Sequence, residues 1–470
     1  MKSILYFNQS FAGYIKHFVY TLKYFFFNKR VIADFTHVFC IVFTLMLINP
    51  VSVCAEIYKP ENVNNVTPSN EPAVVKLQGE VKQEQLPAQE TRFNIWQKQD
   101  NIAEDWFNYK NKLNKKGVNY NIMYVDDLFQ KIYGGNSSKS PLRYNGYVKS
   151  SLELDTHKMG LWTGGKANIT VPYKFGRGLS PDYMHTEVSY SNINVKEFLS
   201  LGEFWYEQSL FSDAFKVKIG KQDLENDCAV LSDSYNFIND GLSENPTIPL
   251  PAISKTAIGV LTTVAPVKSI KLKTGIFDGN AKRERLGFGT LFTGSYFNIA
   301  EGEADYSINK LPGTAKIGYW YRNGGIDEIT SNPVVHHFQS NYGAYSAAKQ
   351  MLFKENKSLN DQQGLYTHVL FGWTPSDRNE LSKFYALGMQ YKGLFAKRNN
   401  DIAGISSSFA QLSNQVNSMH GRSHETSIES FYRIQITRFF AFQPDFQVIF
   451  RPNGNGKTTW LFGIRTFISL

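Results

Sequence analysis

Residues 427–470 read SIESFYRIQITRFFAFQPDFQVIFRPNGNGKTTWLFGIRTFISL, three segments of alternating apolar and polar side chains split by turn-forming residues. Side chains on a strand point alternately to opposite faces. In the first segment Tyr432, Ile434 and Ile436 therefore share one face, and Glu429, Arg433, Gln435 and Thr437 the other. In the second, Phe442, Phe446, Val448 and Phe450 oppose Gln443, Asp445, Gln447 and Arg451. After the turn-rich Pro452-Asn453-Gly454-Asn455-Gly456, the third sets Trp460, Phe462, Ile464, Thr466, Ile468 and Leu470 against Thr459, Gly463 and Arg465. Each segment has the length a tilted strand needs to cross a bilayer, roughly 9 to 11 residues, and the polar faces carry both charge signs. The expectation is lipid outside and water inside. With Leu470 at the inner end, residues 452–457 turn on the outer side of the membrane and 439–441 on the inner side.

Composition agrees with this. Aromatic residues make up 15% of the 470-residue chain, yet its mean hydropathy is −0.32. Beyond the leader it lacks the uninterrupted apolar runs of about 20 residues that spanning helices require. The formal net charge of +9 is weak support for a nucleic-acid partner, because residues 1–55 hold five of the basic residues and one acidic residue. That N-terminal stretch reads as an export signal: Lys2, Lys16, Lys23, Lys29 and Arg30, then apolar residues from Val38 to Ile48. Val53-Cys54-Ala55 offers small residues at the positions a signal peptidase reads, which puts cleavage after Ala55. A retained membrane anchor is disfavoured by the short apolar core, and lipidation of Cys54 by the bulk of Val53. Cleavage also removes Cys40 and leaves Cys228 alone, so neither an internal disulfide nor a cysteine metal site is expected.

Residues 56–91, rich in Pro, Asn, Gln, Glu and Val without a sustained period, read as a disordered periplasmic tether. Residues 102–113 then suit a short helix, with Glu104 and Asp105 early, Lys110 and Lys112 late, and Gly117 to end it. Strand signals recur from Val118 onward. Residues 148–155 and 161–171 form one hairpin across 156–160, residues 203–207 and 215–222 a second across 211–214, and residues 258–264 and 270–276 a third across 266–269. Alternation continues at Ile317, Tyr319 and Tyr321 and, less cleanly, at Leu387, Met389 and Tyr391. The intervening stretches 223–256, 323–364 and 396–425 read as long loops, and short turns on one side with long loops on the other mark an outer-membrane barrel. At roughly 23 residues per strand and connection, the chain beyond Tyr109 gives about 16 strands, a size that leaves an aqueous channel. The expected fold is thus all-β: a transmembrane antiparallel up-and-down β-barrel over residues 92–470, with a short N-terminal helix.

Several stretches are also similar to a known family. Asp105-Trp106 with Leu113, Gly117 and Gly134-Gly135, then Ile219-Gly220-Lys221-Gln222-Asp223 and the segment Pro251 to Gly259, stand in the family's order. So do Arg398-Asn399-Asn400-Asp401-Ile402-Ala403-Gly404, Glu429 through Tyr432, residues 443–447, Arg451-Pro452-Asn453-Gly454 and Gly463-Ile464-Arg465. In these the chain resembles the carbohydrate-selective porins of the OprB family. The chain departs from the usual barrel ending by closing on Leu470, with Phe467 only nearby. The resemblance implies a 16-stranded outer-membrane diffusion channel of a Gram-negative bacterium, homotrimeric, with a periplasmic N-terminus and no catalysis.

A saccharide is neutral, dense in hydroxyls and faintly apolar on its ring faces, so a pore selective for it needs fixed donors and acceptors beside an aromatic surface. Arginine suits rows of hydroxyls because its planar fork holds several donors in one geometry. The candidate channel-lining residues are Arg322, Arg433, Arg451 and Arg465 with Lys216 and Lys218, opposed by Glu429 and Asp445, and Trp320 as the apolar platform. The plainer reading of each charge is a solvated wall residue or a salt-bridged brace. A lumen with both signs passes neutral solutes, whereas a purely basic one concentrates anions. Other chemistry finds little support. His336-His337 lack a third ligand at useful spacing, residues 454–458 lack the first glycine of a phosphate loop, and no serine stands in a nucleophile-elbow pattern. The expected function is passive diffusion of carbohydrates with no cofactor and no nucleic-acid partner. A general or anion-preferring porin is the alternative, ahead of an outer-membrane enzyme or a secreted β-rich adhesin.

Overall fold

The computed structural model describes residues 109–470 apart from 136–138, 181, 253–254, 282–287, 292, 332, 357–361 and 470. The leader, the cleavage position at Ala55, the tether and the start of the helix at 102–108 lie outside the described residues. A helix α1, Tyr109–Lys115, leads into the first strand, and Gly117 follows at φ 81°. The strands are β1 Val118–Gly134, β2 Leu142–Asp155, β3 Gly165–Arg177, β4 Phe198–Leu199, β5 Glu203–Leu210 and β6 Phe215–Gln222. After a long connection come β7 Ala257–Val267, β8 Ile270–Asp278, β9 Tyr296–Ile308, β10 Leu311–Asp327, β11 His337–Lys354 and β12 Gly364–Trp373. The last five are β13 Leu381–Lys392, β14 Ile402–Leu412, β15 His424–Gln435, β16 Phe440–Phe450 and β17 Thr459–Ser469. A four-residue helix α2, Asp240–Ser243, lies in the connection after β6, and α3, Asn414–His420, precedes β15.

Apart from β4 and β5, each strand pairs antiparallel with its sequence neighbours, and β1 pairs with both β2 and β17, which closes the sheet on itself. The segments β4 and β5 both pair with β3 and make one wall, so the molecule is a closed 16-strand barrel. Closure removes the free sheet edges that a bilayer does not tolerate. The alternation read at the C-terminus is the one observed: Thr459, Leu461, Gly463 and Arg465 point inward and are buried, while Trp460 and Phe462 are exposed on the outside. Cross-strand close packing fills gaps on the inner wall. Beside Gly463, a Cβ would meet the Phe129 ring at 2.4 Å, and beside Gly318 it would meet Tyr345 at 2.2 Å, so each aromatic ring lies over a glycine of the adjacent strand.

Connections at 156–164, 211–214, 268–269, 309–310 and 436–439 share one end of the barrel, the periplasmic one in proteins of this architecture. Two of the three expected long loops are wrong. Residues 323–364 contain β11 and the end of β10, and 396–425 contain β14. The reason is chemical: in the middle of β11 the outward positions are Ala344, Ser346 and Ala348, and the middle of β14 is Ser406, Ser407 and Ser408, so the large apolar residues that make alternation visible are missing there. The two longest connections are 178–197, between β3 and β4, and 223–256, between β6 and β7. Both turn into the lumen.

Candidate functional site

Apolar residues pull these two connections inward. Leu179, Met184, Tyr190 and Ile238 pack with the inward-facing Phe129, Ile449 and Leu461. Leu231, Phe237 and Leu242 pack with Leu370, Phe384 and Phe431 from the opposite wall. A loop buried this way must satisfy its backbone polar groups, and polar side chains of the barrel wall do so. The Glu425 carboxylate accepts from the backbone N–H of Glu187 and of Val188, both at 2.9 Å, and of Asn453 at 2.7 Å. Glu429 accepts from the Ile238 N–H at 2.6 Å, and Glu301 from the Ala229 N–H at 2.6 Å. Lys316 donates to the Val230 carbonyl at 2.8 Å, and the Gln447 amide to the Tyr190 carbonyl at 2.9 Å. The two connections also join each other, Asn192 N–H donating to the Ile238 carbonyl and Asp240 N–H to the Ser189 carbonyl, each at 2.9 Å. Segment 223–256 thus runs along the inner wall from β6 past β9 and β10 to β16, and narrows the lumen.

The charged wall residues are mostly paired. Lys218 donates to both oxygens of Asp227, at 2.7 and 2.9 Å, and its ammonium lies 4.6 Å from the Trp205 ring centroid. Lys273 bridges Glu301 and Glu303 at 3.0 and 2.7 Å, and Lys271 joins Glu303 at 2.7 Å. Lys149 faces Glu203 at 3.5 Å. Arg465 makes a forked contact with Asp127, at 2.6 and 2.8 Å, and also donates to the Asn192 side chain at 2.8 Å. Asp127 in turn accepts from the Ser191 hydroxyl at 2.6 Å, so this ion pair pins segment 178–197 to the wall.

The residues singled out from the sequence are spread over several environments. Arg433 faces the lumen, donates to the Asn236 side chain at 3.1 Å and lies 5.0 Å over the Phe467 ring. Arg465 faces the same lumen but is committed to Asp127. Arg451 is a correction: it sits at φ 53° in the turn after β16, exposed, with its guanidinium on the Gly454 carbonyl at 3.1 Å. The strand ends at Phe450, so the alternation does not carry Arg451 inward. Glu429 and Asp445 are both 1% exposed, Glu429 as a receptor for the loop backbone and Asp445 as an acceptor from Gln447 at 2.8 Å. Lys216 pairs with Asp213 at 3.1 Å near the short-turn end. Arg322 donates to Asn280 at 3.2 Å. Trp320 is a second correction, because it is 1% exposed in a cluster with Leu224, Cys228, Ala229 and Ile248 and so offers no ring face to the lumen.

Residues 223–254 hold the groups that pattern reasoning passed over. This stretch has six Asp and Glu and no Lys, Arg or His, a composition visible in the sequence but without periodicity to give it a place. Asp233 meets the Lys349 ammonium, His368 Nε2 at 3.3 Å and the Gln390 amide at 2.9 Å. Burial would raise its carboxyl, but the His368 and Lys349 contacts outweigh it and hold it at about 2. A group whose pKa falls on folding stabilises the folded arrangement above its free value and loses that contribution as pH drops through the lowered one, here worth roughly 2 kcal/mol. The Asp233 anchor is therefore expected to hold down to about pH 4 and to weaken toward about pH 2. Asp233→Asn should show at neutral pH the noisier, larger single-channel currents that the parent shows only in strong acid.

Comparison with known proteins agrees with this geometry. The sequence profile described as "Carbohydrate-selective porin, OprB family" matches residues 139–470. Porin B of Pseudomonas aeruginosa is 22% identical over 405 residues, 74% of this chain and 86% of that protein. Porin AaxA of Chlamydia trachomatis is 22% identical over 277 residues, 57% of this chain and 55% of that protein. Among solved structures, the high-pH structure of Pseudomonas putida OprB has a similar fold, with a TM-score of 0.71 at 19% identity over 78% of this chain and 97% of that one. The profile covers well over half of the sequence and the barrel is closed with 16 walls, so the chain belongs to the carbohydrate-selective porin, OprB family, and is an outer-membrane carbohydrate porin.

Proposed function

We propose that saccharides diffuse passively down their gradient past the inward segments 178–197 and 223–256, and that the protein performs no catalysis on them. The observation that carries this is the lumen itself: a closed barrel narrowed by two segments whose backbones are held by wall carboxylates and amides, with Arg433, Asn236 and the 39% exposed Tyr235 on the side left to water. Arg433 supplies a planar fork of donors for hydroxyls, and Tyr235 an aromatic surface for a ring face. Tyr235 takes the part that the sequence suggested for Trp320. Lys216, Lys218 and Arg465 act through their ion pairs as braces. The anion-preferring alternative loses its main support, because the lumenal lysines at 149, 218, 271, 273 and 349 each face a carboxylate. Assembly as a homotrimer in outer-membrane lipid is part of the proposal, and native mass spectrometry from detergent tests it. For transport, single-channel recording with solute titration is decisive. Glucose-like solutes should reduce the ion current in a saturating manner, and a current blocked by phosphate but indifferent to glucose would refute the sugar reading.

A further inference from the structure

The pairing of wall charges leaves an imbalance on one segment. Among the described residues, no ion pair reaches Glu225, Asp240 or Glu244, although all three are half-buried in the lumen. Glu225 accepts only a long hydrogen bond from the Tyr235 hydroxyl at 3.4 Å, and Asp240 one from Ser243 at 3.3 Å. The three are electrostatic neighbours of one another, and Asp223 adds a fourth carboxylate beside Glu225. Arg465 is within electrostatic range of Asp240 but is already held by Asp127.

A second feature, from a different element, points into the same place. Tyr147 on β2 is 2% exposed and its hydroxyl has no hydrogen-bond partner among the described residues. Its electrostatic neighbours are Asp223, Glu203 and Glu225. A buried hydroxyl without a partner costs about 1 to 3 kcal/mol, so Tyr147 keeps an unused hydrogen bond beside these carboxylates.

We propose that this stretch makes the channel favour cationic solutes, and among saccharides those that carry a protonated amine; the second half rests on the sugar-channel reading above. Carboxylates fixed along a narrow, low-dielectric passage concentrate counter-ions and select for cations. An ammonium group donates to Glu225, Asp240 and Glu244, while sugar hydroxyls meet Arg433 and a ring face lies against Tyr235. Proton uptake sets the strength of the field. Burial in the lumen first, and then mutual repulsion, raise Glu225 and Asp240 well above the usual carboxylate range; burial raises Glu244, and Asp223 is pushed up to about 7. The facing groups are Tyr147 and Lys149 on β2, Glu203 on β5, Asp127 on β1, Arg465 on β17 and, through Asn236, the Arg433 guanidinium on β15. The cluster sheds its shared protons as pH rises, so cation preference strengthens toward alkaline pH and fades in acid.

The test uses the full-length chain in planar bilayers under a roughly tenfold KCl gradient, with the reversal potential giving the K⁺ to Cl⁻ permeability ratio. The ratio is expected to exceed about 2 near pH 8 and to fall toward 1 near pH 5. In proteoliposomes, glucosamine should enter faster than N-acetylglucosamine, which has the same ring without the charge. The variant Glu225→Gln/Asp240→Asn/Glu244→Gln should bring both ratios toward 1 while glucose entry persists. A parent ratio at or below 1 near pH 8, or a ratio unmoved by the triple variant, overturns the proposal. Should the triple variant fail to insert, Glu244→Gln alone and the pH titration of the parent decide the same question. Exclusion of glucose together with retained cation preference would refute the sugar reading and leave the cation preference standing.

Discussion

Replacing residues 225–250 by a short Gly-Ser linker is expected to raise single-channel conductance several-fold and to abolish discrimination among sugars by size. The barrel wall has its own complete ladder of backbone hydrogen bonds, from β1–β2 around to β17–β1, and none of it depends on this segment. Glu301, Glu429 and Lys316 would lose backbone partners at Ala229, Ile238 and Val230 and take water instead. Apolar wall residues such as Phe384, Phe431 and Trp320 would be exposed to lumenal water. The variant should therefore insert and stay heat-modifiable while unfolding at lower urea. An unchanged conductance in an inserted variant would mean that segment 223–256 does not narrow the path.

Asp127→Ala should be the most damaging single substitution, costing about 3 to 5 kcal/mol, because it leaves the Arg465 guanidinium buried without its counter-charge. Asp127 is 1% exposed and Arg465 8% exposed, so water reaches neither freely. The same substitution removes the acceptor of the Ser191 hydroxyl, and segment 178–197 should become protease-sensitive. The double variant Asp127→Ala/Arg465→Leu is expected to recover much of the loss, since it removes both charges together. Urea titration of refolding into lipid vesicles reads the stability, and limited proteolysis of intact vesicles reads the loop. A cost for Asp127→Ala below about 1 kcal/mol would place the pair among solvated surface bridges and remove it as an anchor.

These two experiments probe contacts that strand alternation does not encode. The outward and inward faces of β15, β16 and β17 were legible residue by residue, because on a strand the face is set by parity alone. Three upstream hairpins were legible for the same reason, whereas β11 and β14 were lost where small and hydroxyl side chains erased the contrast between faces. The inward direction of Arg433 and Arg465 followed from parity as well. Their partners did not: Arg465 finds Asp127 and Arg433 finds Asn236 across 338 and 197 residues of sequence. Arg451 failed because the strand stopped one residue short of it, and element ends depend on turn geometry more than on pattern.

The sequence by itself determined that the chain is a membrane barrel, which strands build its C-terminal walls and which side chains turn from lipid, since these follow from local alternation and hydrophobicity. Only the tertiary structure decided which connections fold inward, which lumenal charges neutralise one another and which carboxylates are left unpaired. The physical reason is register: a one-residue slip between neighbouring walls would exchange every cross-strand partner, and register is fixed by the closed sheet as a whole.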